Sequence, residues 1–287
     1  MTPPHLSRRS FLGLAGGVVL LTACGSDSDV DAGAPTSAAG HDFTELAPGV
    51  LSSDLYASDV PQRFLYAGLA KEGYASVTET RLAVAPPGST PTDFVATTLQ
   101  TEGLPERRGV YRTELVLPVA GVWNGIVDFD GEQTDFVFQV NEAPVAVPIG
   151  ADAPRAASPT SDDALGVDPI CTREPACPLH DRSLDALLGA DRPVAVLFAT
   201  PARCSSQYCG PVLDQLLPLV EEYPGIDFAH VEIYRDNRSD ELVPTVAEWG
   251  LPSEPWLYVV DGAGTVVHRL DGAFATPELR AVLDSVT

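Results

Sequence analysis

The stretch PVAVLFATPARCSSQYCGPV, residues 193–212, decides how this chain is interpreted. Residues 193–200 form a continuous apolar run, which is typical of a central strand that is covered on both faces. Cys204 and Cys209 follow it at a Cys-x4-Cys spacing, and apolar residues then recur at helical spacing as far as Val220. The stretch therefore predicts a strand, a turn that carries two cysteines, and a helix.

Outward from this stretch, the pattern predicts further short elements in the order β-α-β-α-β-β-α. They include a second strand, a short helix, a hairpin whose turn is Asp261-Gly262, and a last helix that begins with Pro at its first turn. An extra helix precedes the first strand. The predicted ranges are 184–188, 226–234, 243–249, 255–260, 265–270 and a helix from 276.

This order resembles the thioredoxin fold. Phe198-Ala199-Thr200 looks like the strand end that precedes the redox cysteines of that family, and Cys204 and Cys209 occupy its active-site turn. Glu254-Pro255 stands where the family keeps a cis-proline beside the disulfide. The resemblance implies an α/β thioredoxin-like domain over residues 169–287, with Cys204, Cys209 and Pro255 as catalytic residues.

Three features depart from the family pattern. The usual motif is Cys-x-x-Cys, and residues i and i+5 of a helix lie about 140° apart, so a Cys204–Cys209 bridge needs a loop between them. Leu197 replaces the buried acid that the family keeps. Cys209-Gly210-Pro211-Val212 itself looks like the redox motif with its last cysteine changed. The number of residues after Phe198 favours Cys204 as the nucleophile. A helix N-terminus stabilises a thiolate and so favours Cys209, which we prefer as the nucleophile.

The resemblance leads to the hypothesis of a thiol–disulfide oxidoreductase whose partners are protein thiols or disulfides. One cysteine attacks a substrate disulfide and the other resolves the mixed disulfide, without a metal or organic cofactor. Two alternatives stay open. One is a copper-binding chaperone of the Sco type, since thiolates suit Cu(I). The other is a non-catalytic adaptor in which the disulfides are structural.

A second cysteine pair, Cys171 and Cys177, lies in a proline-rich segment before this region. Local pairing predicts a structural disulfide that closes a loop, while an alternative lets the segment fold over the active-site turn and exchange with it. His180 and His268 are each lone histidines in the sequence, so we expect surface or capping roles and assign no metal site.

Residues 43–145 have the alternating pattern of an all-β domain. Residues 111–117, 123–129 and 136–140 alternate apolar and polar side chains, and Asp130-Gly131 is a two-residue hairpin signal. Gly121-Val122-Trp123 looks like the Ala-Gly-x-Trp of bacterial immunoglobulin-like modules. The expected fold class is thus two domains, an immunoglobulin-like β-sandwich followed by the α/β thioredoxin-like domain.

The first 24 residues resemble the signal peptide of a bacterial lipoprotein. Arg8-Arg9 precedes an apolar run that is too short to span a bilayer, and the pair also resembles a twin-arginine signal. The run ends in Leu21-Thr22-Ala23-Cys24, which looks like a lipobox and implies a lipid on Cys24. Residues 25–42 and 146–168 are rich in small and polar residues, which predicts a disordered tether and an interdomain linker.

The charge of the chain restricts its partners. The chain has 17 Lys and Arg residues and 40 Asp and Glu residues, so its formal net charge is −23. Such a chain repels nucleic acid and anionic headgroups, so membrane attachment requires the lipid. We expect a protein on the extracytoplasmic face of the cell membrane, in an oxidising compartment.

The anchor is tested by Cys24→Ser. We expect this variant to leave the membrane fraction or to remain unprocessed, because the lipid has no other predicted attachment site. Cell fractionation with immunoblotting measures the distribution, with Cys204→Ser as the control that keeps the anchor. Membrane retention of a fully processed Cys24→Ser protein contradicts the prediction.

Overall fold

The computed structural model describes residues 46–71 and 73–287. The signal peptide, Cys24 and the tether predicted at 25–42 lie outside this range. The described residues contain thirteen strands and four helices. The strands are β1 (Ala47–Val50), β2 (Ser58–Ala70), β3 (Gly73–Ala75), β4 (Thr80–Ala85), β5 (Val95–Ala96), β6 (Thr98–Gln100), β7 (Val110–Leu117), β8 (Gly121–Phe129), β9 (Glu132–Val140), β10 (Val194–Phe198), β11 (Asp227–Val231), β12 (Trp256–Val260) and β13 (Val266–Asp271). The helices are α1 (Leu184–Leu187), α2 (Cys209–Glu222), α3 (Pro244–Glu248) and α4 (Thr276–Asp284).

Two antiparallel sheets form the N-terminal part. One has the order β1-β2-β7-β6 with β3 paired to β2, and the other has the order β5-β4-β8-β9. Their facing side chains share one apolar core, in which the Tyr66 and Tyr111 rings stack at 5.0 Å. The hairpin predicted at Asp130-Gly131 is confirmed, because Phe129 pairs with Glu132 and both turn residues have positive φ.

A four-stranded sheet with the order β11-β10-β12-β13 forms the C-terminal part. Strands β10 and β11 are parallel, and the other two pairs are antiparallel. All five residues of β10 are fully buried, as the apolar run predicts for a central strand. Alternate residues of β10 belong to two different cores. One lies under α2 and α4, and the other lies under α1, α3 and irregular chain.

The predicted fold class is wrong. The described residues are mostly β, with three sheets and only short helices, and no α/β thioredoxin-like domain is evident in their C-terminal part. The helices α1 and α3 have four and five residues, so irregular chain covers much of one face of the C-terminal sheet. Apolar periodicity marks which residues face a core, but it does not show whether a helix or a loop covers the sheet.

Residues 146–168, predicted as a linker, lie against the C-terminal sheet. Ala146, Ala153 and Val167 are buried in the core on the α3 side. The Gly150 N–H donates to the Val266 carbonyl at 2.8 Å, and the Val266 N–H donates to the Ala151 carbonyl at 2.9 Å. The segment is thus hydrogen-bonded to the start of β13 and belongs to the same compact unit as the described residues on either side of it.

The sandwich and the C-terminal sheet are joined by a buried guanidinium. Arg63 of β2 donates from Nε and Nη2 to the Glu278 carboxylate at 2.7 and 2.9 Å. It also donates to the carbonyls of Asp271 and Ala273 at 2.7 and 2.6 Å. The side chains of Arg63 and Glu278 are only 10% and 7% exposed, so water has little access to compete for these hydrogen bonds.

Among the described residues, no helix has the length and apolar character needed to cross a membrane.

The Arg63 network is tested by Arg63→Met, which keeps an unbranched side chain but removes every donor. We expect a loss of about 3 kcal/mol in the free energy of unfolding, because a buried ion pair is broken and two carbonyls lose their donor. Urea denaturation measures the loss. Arg280→Met is the control, since its pair with Glu222 lies in solvent and should contribute little. Equal losses in the two variants contradict the prediction.

Candidate functional site

Cys204 and Cys209 form a disulfide in the loop between β10 and α2. Their Cα atoms are 5.8 Å apart, and the chain between them turns through Gln207, which has a φ of 61°. The bridge predicted from the sequence is therefore present. Helix α2 begins at Cys209, slightly before the Gly210-Pro211 that the sequence favoured as its start.

The two sulfur atoms of the bridge differ in their surroundings. Cys204 is only partly buried, and its sulfur lies 3.2 Å from the Ser206 hydroxyl. Cys209 is fully buried as the first residue of α2. Its backbone N–H donates to the Cys204 sulfur at 3.2 Å. An attacking thiolate therefore reaches Cys204 more easily than Cys209, the opposite of our preference from the sequence.

Glu254 supplies a carboxyl group beside the buried sulfur. Its Oε2 lies 3.4 Å from Cys209 Sγ and accepts a hydrogen bond from the Thr200 N–H at 3.0 Å. Burial raises the pKa of Glu254 to about 7, and the nearby Glu232 carboxylate also raises it, while the Thr200 N–H and Arg203 act in the opposite direction. A carboxyl with this pKa exchanges protons at neutral pH.

Pro255 follows Glu254 through a cis peptide bond and is buried at the start of β12. The structure thus places Pro255 next in the chain to the carboxyl that contacts Cys209. In the sequence, Glu254 served only to locate Pro255, and Leu197 occupies the position of the family's buried acid. The acid comes from the β12 side of the sheet instead.

The loop that carries the bridge is held by the sandwich. The Tyr74 hydroxyl donates to the Ser206 carbonyl at 3.1 Å, and the Tyr208 hydroxyl donates to the Arg108 carbonyl at 3.3 Å. The rings of Tyr74 and Tyr208 meet edge to face at 5.5 Å. The sandwich therefore positions the residues between the two cysteines.

Cys171 and Cys177 are free thiols, so the structural disulfide predicted between them is not formed. Both are buried, and each sulfur lies near a histidine ring: Cys177 Sγ is 3.3 Å from His180 Nε2 and 3.4 Å from His230 Nδ1. The thiols therefore have polar partners other than each other. Hydrogen bonding, chiefly from Cys177 and also from the two histidines, holds the pKa of the Cys171 thiol below its ordinary value.

This group was not predicted from the sequence, in which His180 stands as a lone histidine. His180 and His230 are buried with their ring nitrogens 3.2 Å apart, and His230 comes from β11. The spacing Cys171-x5-Cys177-x2-His180 is a signal that could have indicated a shared site, but nothing local links it to His230. His268 is not part of the group, and its Nε2 lies 2.7 Å from the hydroxyl of Ser285 at the C-terminal end of α4.

Comparison of the chain with models of protein families and with curated proteins finds no match.

Proposed function

We propose that this protein is a thiol–disulfide oxidoreductase that works through the Cys204–Cys209 pair. One observation carries the proposal: the bridge joins a partly exposed sulfur to a buried one, with a carboxyl of pKa about 7 placed 3.4 Å from the buried sulfur. A purely structural bridge needs neither a difference in solvent access between its two sulfur atoms nor a carboxyl that exchanges protons beside one of them.

The oxidising half-reaction begins with attack by a substrate thiolate on the Cys204 sulfur. The new sulfur–sulfur bond forms as the Cys204–Cys209 bond breaks, and Cys209 leaves as a thiolate. Backbone N–H groups at the start of α2 stabilise this thiolate, which lowers its proton affinity and makes it a better leaving group. Neutral Glu254 then donates its proton to the Cys209 sulfur.

A second substrate thiol completes the reaction. It attacks the substrate sulfur of the mixed disulfide and displaces Cys204, so that the substrate loses two electrons and the chain becomes a dithiol. The reverse direction uses the same atoms. Cys204 attacks a substrate disulfide, ionised Glu254 accepts the proton of Cys209, and the Cys209 thiolate resolves the mixed disulfide. Cys204 is therefore the nucleophile and Cys209 the resolving cysteine.

The copper-chaperone alternative is weaker at this pair. The third donor beside Cys204 and Cys209 is the Glu254 carboxylate. A carboxylate suits hard cations rather than Cu(I). The described histidines that lie near a cysteine, His180 and His230, are grouped with Cys171 and Cys177 instead.

The proposed site of action is the extracytoplasmic face of the membrane. The lipobox-like Cys24 supports a lipid anchor, and the net charge of −23 argues against nucleic acid as a partner. The substrates that fit this location are exported proteins with exposed thiols or disulfides.

The order of the two cysteines is tested by trapping. Cys209→Ser should accumulate mixed disulfides with substrate proteins or glutathione at Cys204, because the resolving thiol is gone. Cys204→Ser is the matched control and should capture at least about tenfold less, since thiolate exchange depends on access to the sulfur. Peptide mapping by mass spectrometry locates the captured group. Equal capture by both variants, or capture first at Cys171 or Cys177, contradicts the assignment.

The role of Glu254 is tested by Glu254→Gln. The release of glutathione from a mixed disulfide at Cys204 should accelerate as pH rises through about 7, because ionised Glu254 then accepts the Cys209 proton. The variant should lose this inflection and react about 100-fold more slowly at pH 8. Stopped-flow single-turnover measurement gives the rates, with Glu248→Gln on exposed α3 surface as the control. If the rate of glutathione release in Glu254→Gln keeps its inflection near pH 7, Glu254 is not the group that exchanges the proton.

A further inference from the structure

Four buried side chains outside the disulfide loop meet with their donor atoms facing one another. They are Cys171, Cys177, His180 and His230, and their sulfur and ring nitrogen atoms all lie within 4.8 Å of each other. The thiol–disulfide chemistry proposed above uses none of them. Two sulfur and two imidazole donors are a common ligand set for a structural zinc ion.

Four of the six distances between these donors are close to those of a tetrahedral site. A Zn²⁺ ion with Zn–N bonds of about 2.0 Å and Zn–S bonds of about 2.3 Å places nitrogen pairs about 3.3 Å apart and nitrogen–sulfur pairs about 3.5 Å apart. The His180 Nε2–His230 Nδ1 distance is 3.2 Å. Cys177 Sγ lies 3.3 Å and 3.4 Å from these two nitrogens, and Cys171 Sγ lies 3.9 Å from His230 Nδ1.

Neighbouring backbone groups orient the donors. His230 Nε2 lies 3.0 Å from the Ala199 carbonyl oxygen, which has no proton, so Nε2–H donates and Nδ1 keeps its lone pair for a metal. The Cys177 N–H donates to Cys171 Sγ at 3.3 Å. Backbone groups therefore orient two of the four donors, Cys171 and His230, towards the group.

We propose that Cys171, Cys177, His180 and His230 bind a Zn²⁺ ion in a closed tetrahedral site. Four protein ligands leave no open position for water or substrate, which is the arrangement of structural zinc sites. Charge favours zinc over Cu(I). Two thiolates neutralise Zn²⁺ but leave Cu(I) with a net negative charge, and a net charge is costly among buried side chains.

The ion joins an irregular segment to the sheet. Three of its ligands lie within residues 171–180, and the fourth is on β11, whose His230 N–H also donates to the Leu179 carbonyl at 3.0 Å. The same segment touches the loop of the disulfide, because the Ala202 N–H donates to the Thr172 hydroxyl at 3.1 Å. Zinc also explains how two neighbouring thiols stay reduced in an oxidising compartment, since bound thiolates are not free to form a disulfide.

The experiment measures metal in the full chain, extracted from membranes in detergent without chelator. Mass spectrometry for metals should find about one zinc ion per chain. Cys177→Ser and His230→Gln should each lower the zinc content at least about tenfold, because loss of one ligand opens the site. His268→Gln, which changes a histidine outside the group, and the double variant Cys204→Ser/Cys209→Ser should both retain zinc.

Two measurements on the unmodified chain keep the test independent of how the variants fold. Replacing zinc by Co²⁺ should produce the intense visible bands of a tetrahedral thiolate site, and a chelator should make Cys171 and Cys177 reactive towards iodoacetamide. A chain that takes up no zinc overturns the proposal, as does a Cys171–Cys177 disulfide in native peptide maps. Loss of zinc in the Cys204→Ser/Cys209→Ser variant would place the metal at that pair instead. Copper at one ion per chain would refute the choice of zinc.

Discussion

The complete burial of strand β10 is the constraint on which both cysteine sites depend. Its residues, Val194–Phe198, are covered on both faces, so the position of its carboxyl end is fixed by two cores at once. The two residues that follow β10 each contact a functional side chain through their backbone. The Ala199 carbonyl orients the His230 ring, and the Thr200 N–H holds the Glu254 carboxylate beside Cys209. The chain then enters the loop of the disulfide.

The two cysteine pairs show how neighbouring groups decide the state of a thiol. Cys204 and Cys209 have a turn between them and a helix beginning at the second sulfur, so a bridge forms within the loop. Cys171 and Cys177 are separated by a similar length of chain, yet imidazole nitrogens lie against their sulfur atoms. Cysteine spacing alone does not distinguish these outcomes, because one of the two imidazoles beside Cys177 comes from His230, which is 53 residues further along the chain.

Local patterns in the sequence located the local features of the structure. The apolar run at 193–200 contains the central strand β10, and Asp130-Gly131 forms the turn of the β8–β9 hairpin. Cys204 pairs with Cys209. The fold class could not be obtained in this way, because apolar spacing does not show that irregular chain, rather than helix, covers much of one face of the C-terminal sheet. Glu254 and His230 were also out of reach, since strand pairing brings them to the cysteines from distant parts of the chain.

The hydrogen bonds between residues 150–153 and the β13 hairpin have a consequence for solubility. An unpaired strand edge is a template on which a second chain can add. Here Gly150, Ala151 and Ala153 form hydrogen bonds with the backbone groups of Gly264 and Val266 within the same chain. The start of the outer strand is therefore closed to intermolecular β-pairing, and a deletion through residues 150–153 would expose an aggregation-prone edge.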